Sequence, residues 1–438
     1  MKYILTSAFI AGAALLLAGC GNKVSTHSDP DLKVSSVTTS TSTEKASPSS
    51  SSNAVTTTTF TTTTAVTTTT VPQPPADLIL KGMDTVEVYT ELTLDEFITD
   101  KNVELSEGSA LLNTADPGEY QVDIKYISNG NEFTEKLTYN VADTTPPLLL
   151  NSGWNPYHVA GKDFDLSNYV GFADNYDRNV SLTYTGDIDP NTLGNYPLHA
   201  IATDSSGNST EWDVTISVVN SVPVPPDDRT RVPFSDFAAA YGGEGRRLGL
   251  DISAWQTDVD FNALKNAGCD FVIMRAGYCY GDPKTDDYFF QNLERARAAG
   301  MDYSIYFYFT DNNEEEVREH ARWLADVLGG EPVDLPIAFD WEDFGTFQQF
   351  GMNIKDLNDL YAAFRDELSK YGYDTMLYSS RNFLRDFWTE KTKSLGPVWL
   401  AHYVDETNYD GDYYIWQQSS CGRIDGIAGD VDMNVLYE

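Results

Sequence analysis

The fold of this chain is decided by the stretch Leu335-Pro336-Ile337-Ala338-Phe339-Asp340-Trp341-Glu342-Asp343. Its first residues are apolar, which is typical of a buried β-strand, and the strand ends in a run of acids. Asp340 and Glu342 are two positions apart, so on a strand both side chains lie on one face, with Cα atoms roughly 6.6 Å apart. Carboxyl groups this close disfavour ionising together, so the pKa of one rises and it can hold a proton near neutral pH. The stretch predicts either a site for acid–base chemistry or a solvated acidic loop, and the surrounding sequence decides between them.

Strand and helix patterns alternate from Arg246 to the C terminus. Apolar strand candidates cover residues 248–253, 271–277, 303–309, 336–342, 375–380, 398–403, 413–418 and 431–437. Helical periodicity separates the earlier strands, over residues 260–267, 286–299, 314–328 and 354–371, with Asp286 and Asn313 at expected N-caps. Alternation of this kind with eight strands predicts a (β/α) TIM-like barrel. The last three strands are joined by short loops, so we expect the barrel to be irregular.

Four acids fall on the predicted barrel strands or at their ends. Asp251 lies in the first strand, Asp340 and Glu342 end the fourth, and Asp432 lies in the last. Reactive groups of such barrels gather at the C-terminal ends of the strands, and closure brings the first and last strands together. An acid in a barrel wall is costly unless it serves a site, so these four are the predicted catalytic residues. A glycosidase needs such acids, one to protonate the leaving oxygen and one to stabilise or capture the sugar cation.

A family resemblance runs in order through the whole of residues 246–438. It rests on the following stretches: Gly249-Leu250-Asp251-Ile252-Ser253 with Trp255-Gln256; Phe271-Val272-Ile273-Met274-Arg275-Ala276-Gly277-Tyr278; Ile305-Tyr306-Phe307-Tyr308; Phe339-Asp340-Trp341-Glu342; Leu377-Tyr378-Ser379; Trp399-Leu400-Ala401-His402-Tyr403; Trp416-Gln417-Gln418-Ser419-Ser420; and Gly429-Asp430-Val431-Asp432-Met433-Asn434. The domain resembles the glycoside hydrolase family 25 lysozymes, the Chalaropsis-type N-acetylmuramidases. The resemblance implies hydrolysis of the β-1,4 bond between N-acetylmuramic acid and N-acetylglucosamine in peptidoglycan, with retention and without a cofactor.

The resemblance also assigns roles to individual residues. It implies that Glu342 is the proton donor, that Asp340 is its partner carboxylate, and that Asp251 and Asp432 flank them. The aromatic residues that it places along the substrate groove are Tyr306, Tyr378, Tyr403 and Trp416, each of which could equally be barrel packing. Whether Asp340 attacks the sugar directly or orients the 2-acetamido group of the substrate stays open.

The N-terminus has the features of a targeting segment. Residues 1–19 combine Lys2 with a short apolar run, which is typical of a signal peptide. The run ends in Leu17-Ala18-Gly19-Cys20, which resembles a bacterial lipobox and implies a lipid on Cys20. We therefore expect a lipid-anchored protein on the outer face of the bacterial cell membrane. Residues 20–75 are rich in Ser, Thr and Pro and are expected to be a disordered linker.

Two modules of short strands are expected between this linker and the barrel, over residues 76–142 and 143–222. Residues 117–124 and 129–141 of the first match residues 193–200 and 206–218 of the second, and each pair predicts a hairpin. Strands of this length predict small β-sandwiches, and the second module resembles bacterial immunoglobulin-like repeats. Residues 223–245 are expected to be a linker. Four acids of the second module could bind calcium, but they lack the spacing of a known calcium loop and fit a solvated acidic loop better; they are Asp174, Asp177, Asp187 and Asp189.

Composition limits the possible partners. The formal net charge of −37 over 438 residues argues against nucleic acid. The five histidines form no ligand cluster in the sequence, so we expect no metal at the active site. The expected protein is a monomer that acts on peptidoglycan glycan strands. The alternatives are a non-enzymatic surface adhesin or peptidoglycan-binding protein and a chitin-type barrel glycosidase; the longer acidic run typical of such chitinases is absent before Glu342.

Overall fold

The computed structural model describes residues 85–97, 103–106, 110–128, 130–150, 156–224, 226–280 and 282–438. The predicted signal peptide, Cys20 and the Ser/Thr-rich linker lie outside the described residues. Those that are described divide into two compact units, one that ends at Val141 and one that runs from Ala142 to Glu438. No helix in the described part of the chain combines the length and the apolar character needed to cross a membrane.

The first module is built on a long antiparallel hairpin. Its described strands are Val86–Glu87 (β1), Val103–Leu105 (β2), Gly118–Ser128 (β3) and Asn131–Ala142 (β4), in the sheet order β1-β4-β3-β2, with a 3-10 helix at Leu94–Phe97. The hairpin pairs Gly118 with Val141 at one end and Ser128 with Asn131 at the other. In the second half of β3 every other residue is buried, such as Ile124 and Tyr126. This alternation is expected of a strand that packs one face on a core and leaves the other exposed.

The second module repeats that hairpin. Its strands are Leu148–Leu149 (β5), Tyr157–Val159 (β6), Phe172–Ala173 (β7), Ser181–Thr185 (β8), Gly194–Thr203 (β9) and Ser209–Val219 (β10), with a 3-10 helix at Leu166–Asn168. Within the described residues, one sheet has the order β6-β10-β9-β8, and β5 pairs with β7. The two predicted hairpins, β3–β4 and β9–β10, are confirmed. The immunoglobulin-like assignment stays a prediction.

The C-terminal region is a closed barrel. Its strands are Arg246–Ile252 (β12), Phe271–Tyr280 (β13), Asp302–Phe309 (β15), Ile337–Trp341 (β16), Thr375–Ser380 (β17), Val398–Ala401 (β18), Ile415–Arg423 (β19) and Val431–Tyr437 (β20), and short strands at Val232–Pro233 (β11) and Asp282–Thr285 (β14) are added to β19 and β13. The barrel strands from β12 to β19 pair in parallel, and the added strand β14 pairs antiparallel with β13. Strand β20 pairs antiparallel with both β12 and β19 and closes the ring. The barrel and its irregular end are therefore confirmed.

Helices cover the outside of the barrel. They are Phe234–Tyr241 (α1), Phe261–Asn266 (α2), Phe289–Ala299 (α3), Glu314–Leu328 (α4), Ile354–Ser369 (α5), Arg381–Asp386 (α6) and Glu390–Lys393 (α7), with 3-10 helices at Ala254–Gln256 and Asp343–Phe350. Asn313 caps α4, as predicted, because its side chain accepts the N–H of Glu316 at 3.0 Å. Asp286 is not the N-cap of α3, which begins at Phe289 after Tyr288. The Asp286 carboxylate is instead used on the barrel side, where it binds Arg275.

Part of the segment predicted to be a linker, residues 223–245, is regular structure. Strand β11 pairs in parallel with β19, and α1 buries Phe234 and Phe237 against the barrel core. The apolar spacing of these two phenylalanines gives α1 a face to bury, so it is part of the barrel fold rather than a spacer.

The second module and the barrel share one compact unit and contact each other through polar groups. The guanidinium of Arg178 forms a bidentate pair with Asp356 at the start of α5, with N–O distances of 2.6 and 2.8 Å. Gln348, in the 3-10 helix after Glu342, donates to the carbonyl oxygens of Ser167 and Val170 at 2.8 and 3.0 Å. The module therefore touches the segment that directly follows the acidic stretch.

Candidate active site

The acidic stretch lies where β16 ends inside the barrel. All five residues of β16 are buried, and Asp340 is only 4% exposed. Glu342 follows the strand, is partly buried, and faces the same cleft. The two side chains share a hydrogen bond. A hydrogen bond between two carboxyl groups needs a proton, so it can form in this pair only while one of the two groups is protonated.

The surroundings favour the protonated form of this pair. Burial and the adjacent charge of Glu342 raise the pKa of Asp340 well above its usual range. Burial, with the charges of Asp343 and Asp251, raises the pKa of Glu342 to about 7, although the hydrogen bond from Asp340 acts in the opposite direction. The pair therefore holds a shared proton near neutral pH, and Glu342, the more exposed member, is the one that can pass it to a bound molecule.

A second acid pair is made by the strands that close the barrel. Asp251 on β12 lies directly opposite Asp432 on β20, and their side chains are hydrogen bonded. Burial raises the pKa of both groups, and the charge of Asp251 adds to the increase at Asp432. The expected approach of these two acids is confirmed, and the antiparallel β20 provides the register that brings it about.

A network of amides fixes the orientation of Asp251. Its Oδ2 accepts hydrogen bonds from Gln417 Nε2 at 2.9 Å and from Asn434 Nδ2 at 2.8 Å. The Oε1 of Gln417 in turn accepts the hydroxyls of Tyr378 and Tyr403 at 2.9 and 2.8 Å. The network leaves these buried polar groups satisfied and holds one acid and two tyrosines in a fixed arrangement.

Both acid pairs open into one cleft of about 910 Å³. Three of the four predicted aromatic residues, Tyr306, Tyr378 and Tyr403, line it. Trp416 does not. Its indole N–H donates to the carbonyl of His402 at 2.7 Å, and its ring packs edge-on against Tyr241 of α1 on the outside of the barrel. The prediction that Trp416 lines the groove is therefore wrong.

Strand parity explains both this error and the residues that were missed. Side chains alternate between the two sides of a strand, so Gln417 points inward on β19 when Trp416 points outward. The same parity brings Trp399 of β18 into the cleft beside Tyr378, with ring centroids 4.7 Å apart. The parity of residues 415–418 was the available signal, because Ile415 has to join the apolar interior of the barrel.

A cation also belongs to the cleft. Arg275 on β13 lines it, and its Nε donates to Asp286 at 2.8 Å. Asp286 is fixed in turn by the N–H groups of Ala254 and Tyr288, at 2.9 and 3.0 Å. The positive charge of Arg275 opposes the increase in the pKa of Asp340. Arg275 therefore favours the ionised form of the Asp340 carboxyl group.

One large aromatic side chain stands at the rim. Trp255 is 83% exposed, yet the 3-10 helix that carries it is fixed by a capping box between Ser253 and Gln256. Gln256 also donates to the carbonyl of Asp430 at 3.1 Å, which ties this helix to the loop before β20. An exposed indole on a rigid support is a ready platform for an apolar ring face.

In the described ranges, two groups of side chains have the spacing of metal ligands, and neither lies in the cleft. They are Cys279-Asp311-His320 and Asp143-Asp174-Asp177. In the first, His320 Nδ1 is 2.8 Å from Asp311 Oδ2, and Cys279 Sγ donates to the other oxygen at 3.4 Å. All three are buried and satisfy one another, so this group needs no ion to explain it.

Comparison with known proteins connects this cleft to a family. Residues 250–427 match the model of Glycosyl hydrolases family 25. An autolytic lysozyme of Clostridium acetobutylicum is 31% identical over 193 residues, which are 43% of this chain and 56% of that protein. Lysozyme M1 of Streptomyces globisporus is 27% identical over 227 residues, which are 48% of this chain and 71% of that protein.

Among solved structures, a bacterial lysozyme from Streptomyces coelicolor superposes with a TM-score of 0.37 and 20% identity, over 43% of this chain and 90% of that one. The present chain spans little more than half the length of the first curated relative. The family match covers β12 to β19 almost entirely and includes Asp251, Asp340 and Glu342. The C-terminal barrel of this chain therefore matches glycosyl hydrolases family 25 over residues 250–427.

Proposed function

We propose that the barrel hydrolyses the β-1,4 bond between N-acetylmuramic acid and N-acetylglucosamine in peptidoglycan. The observation that carries this proposal is the hydrogen-bonded pair Asp340 and Glu342 at the floor of a cleft of about 910 Å³. The match to family 25 and the relatives named as lysozymes support the substrate class. We expect the purified protein to release soluble fragments from peptidoglycan sacculi; sacculi that stay intact at neutral pH would contradict the proposal.

In the proposed reaction Glu342 gives its proton to the glycosidic oxygen as the bond breaks. Its raised pKa of about 7 keeps the proton available at neutral pH, and it is the more accessible member of the pair. Glu342 is left as a carboxylate, while Asp340, which is already ionised when Glu342 holds the shared proton, stabilises the developing sugar cation, either by attacking C1 or by holding the N–H of the substrate's 2-acetamido group. Water completes the reaction, with Glu342 now acting as the base.

Asp251 and Asp432 shape the field around this reaction. Gln417 and Asn434 hold the Asp251 carboxylate in place through hydrogen bonds. It therefore does not have to reorient when positive charge develops on the sugar. Its charge also helps to raise the pKa of Glu342. We therefore assign to this second pair electrostatic support of the cation and of the proton donor, and no direct transfer of a proton.

We predict that hydrolysis retains the β configuration. Retaining enzymes hold their two carboxyl groups about 5–5.5 Å apart, and inverting enzymes hold them about 6.5–9.5 Å apart to leave room for water. The hydrogen bond between Asp340 and Glu342 supports the close arrangement. NMR of the first product should show a β anomer at the new reducing end; an initial α anomer would mean inversion.

We predict that Trp255→Ala weakens substrate binding. A lost stacking contact of about 0.5–1.5 kcal/mol corresponds to a roughly 2- to 12-fold increase in KM, with little change in kcat. The matched control is Tyr371→Ala, because Tyr371 is also exposed, at 46%, but does not line the cleft. If KM on soluble glycan fragments is the same in both variants, Trp255 is not a sugar platform.

We also propose that a lipid on Cys20 anchors the protein at the outer face of the cell membrane, as a monomer. Support comes from the lipobox-like sequence Leu17-Ala18-Gly19-Cys20. A tether raises the local concentration of enzyme at the wall, which offsets the repulsion expected between a chain of net charge −37 and an anionic wall. The Ser/Thr-rich segment after Cys20 would act as the spacer.

Replacement of Cys20 is predicted to release the protein. In Cys20→Ala the chain should move from the detergent phase to the aqueous phase and to the culture medium, because its lipid attachment atom is gone. Ser25→Ala, five residues further along, is the matched control and should stay with the membrane fraction. Continued membrane association of Cys20→Ala would show that another part of the chain holds it there.

A further inference from the structure

Three acids of the second module converge outside the active-site cleft. Asp143, Asp174 and Asp177 each offer a carboxylate oxygen, and these oxygens all lie within 4.8 Å of one another. Asp143 directly follows β4, whereas Asp174 and Asp177 lie in the turn after β7. Asp174 is 1% exposed, which contradicts the expectation of a solvated acidic loop at this residue, and Asp143 is 4% exposed.

The carboxylate of Asp174 is only half satisfied. Its Oδ1 accepts the backbone N–H groups of Tyr176 and Asp177, at 2.9 and 2.7 Å. Its Oδ2 is buried and accepts no hydrogen bond from any residue in the described ranges. A buried carboxylate oxygen without a donor is costly, and such groups are rare unless an ion or water completes them.

The turn between β9 and β10 braces this cluster. Asn208 donates through its backbone N–H and its side-chain Nδ2 to the two oxygens of Asp204, both at 2.8 Å, and Nδ2 also reaches the Asp143 carbonyl at 3.2 Å. Ser205 donates its N–H and hydroxyl to Asp177 Oδ2 at 3.1 and 2.9 Å. These bonds hold acids close together in spite of their mutual repulsion.

Charge is concentrated at this point. Burial raises the pKa of Asp174 to about 6, and the charges of Asp143 and Asp204 contribute to the increase, against the two backbone hydrogen bonds. The carboxylates held around the buried Oδ2 of Asp174 repel one another. A bound cation would remove this repulsion.

We propose that Asp143, Asp174 and Asp177 bind one Ca²⁺ ion. Calcium takes oxygen ligands at about 2.4 Å, so oxygens on a single ion are at most about 4.8 Å apart, which is the limit that this cluster meets. Mg²⁺ usually keeps several of its waters, and the burial of Asp143 and Asp174 leaves little room for them.

This site supports the contact between the second module and the barrel. The carbonyl of Asp174 accepts the N–H of Ile354, the first residue of α5, at 2.8 Å, and Asn353 Nδ2 donates to the carbonyl of Tyr176 at 2.6 Å. Arg178, one residue beyond Asp177, forms the bidentate pair with Asp356. Calcium would therefore fix the turn that contacts α5, and this role does not depend on the reaction that the barrel catalyses.

Calorimetric titration of the full chain, stripped with EDTA and dialysed, tests the proposal with CaCl₂ as the probe. We expect one Ca²⁺ per chain and a Tm increase of roughly 5 °C at a hundredfold excess over Kd. Asp174→Asn keeps an oxygen for the two backbone N–H groups but loses the charge, so binding should weaken at least about tenfold. Asp187→Asn, at an exposed position of the same module, is the matched control and should bind like wild type.

Amide hydrogen exchange gives a second readout at the contact itself. Calcium should slow the exchange of the Ile354 N–H in wild type and in Asp187→Asn, but not in Asp174→Asn. If Asp174→Asn does not fold, Asp177→Asn, at a partly exposed position, takes its place. The proposal is overturned if stripped wild type shows no calcium binding at millimolar concentration, if the cluster variant binds as tightly as wild type, or if MgCl₂ produces the same response.

Discussion

Glu342→Gln is expected to lower kcat on peptidoglycan by about 10²–10⁴-fold, which is the usual contribution of a general acid. The side chain keeps its size and its place after β16 but no longer carries a proton that it can transfer. Because Glu342 is partly buried in a polar cleft, the fold should be intact, and far-UV circular dichroism and Tm should match wild type. Release of soluble fragments from sacculi measures the loss.

The matched control for this variant is Glu319→Gln, at an exposed position on α4 that does not line the cleft. It should have wild-type activity. In wild type, kcat/KM should fall as pH rises through about 7, because Glu342 then loses its proton, and this dependence should disappear from the residual activity of Glu342→Gln. A folded Glu342→Gln with normal turnover would remove Glu342 from the role of proton donor.

Asp340→Asn is expected to lower kcat by about 10²–10³-fold, the range observed when a group that stabilises transition-state charge is removed. The thermal stability of the variant should increase or stay the same. Asp340 Oδ1 is buried and accepts no hydrogen bond from the described residues, so a neutral amide removes a charge that the fold does not fully compensate. Tm should therefore be equal to or above that of wild type, with activity lost.

Asp326→Asn, at an exposed position on α4, is the matched control for Asp340→Asn and should change neither quantity. A sugar trapped covalently on Asp340 in wild type would show that this residue attacks C1 directly. If no such adduct forms and the reaction still retains configuration, the 2-acetamido group of the substrate is the nucleophile. Normal activity in a folded Asp340→Asn would exclude both routes.

The acids of the cleft could be predicted because they interrupt strand patterns that are otherwise apolar. An acid in an apolar strand has no cheap structural explanation, so Asp251, Asp340 and Asp432 stood out in the sequence. Their pairing followed from barrel closure, which brings β12 and β20 together. The barrel itself followed from strand periodicity, and the observed strands β17 and β20 have the predicted bounds.

Aromatic and amide residues were harder to place, because both occur on either side of a barrel wall. Trp416 and Trp399 each lie in a β-strand, yet one packs on the outside and the other lines the cleft. Gln417 is central to the network around Asp251, but a glutamine carries no signal of burial in sequence. The register of β19 against β18 and β20 places Gln417 on the inner side of the barrel wall and Trp416 on the outer side.

Long-range polar contacts were outside what the sequence could predict. The pair Arg178 and Asp356 is separated by 178 positions, and neither residue belongs to a pattern that names the other. Similarly, Asp143 and Asp174 are far apart in sequence and lack the spacing of a calcium loop, so their convergence is visible only once the second module is folded. The position of Asp286 in the sequence predicted an N-cap, but its carboxylate forms an ion pair with Arg275.

The most direct test of the proposed activity is the identity of the new reducing end. Purified peptidoglycan is digested with the full-length protein, the ends are reduced with borohydride, and the labelled sugars are identified by mass spectrometry. Cleavage of the bond between N-acetylmuramic acid and N-acetylglucosamine predicts reduced N-acetylmuramic acid at every new end, and none in Glu342→Gln. Reduced N-acetylglucosamine at the new ends would contradict the account. Release of soluble fragments by wild type without any new reducing ends would contradict it as well.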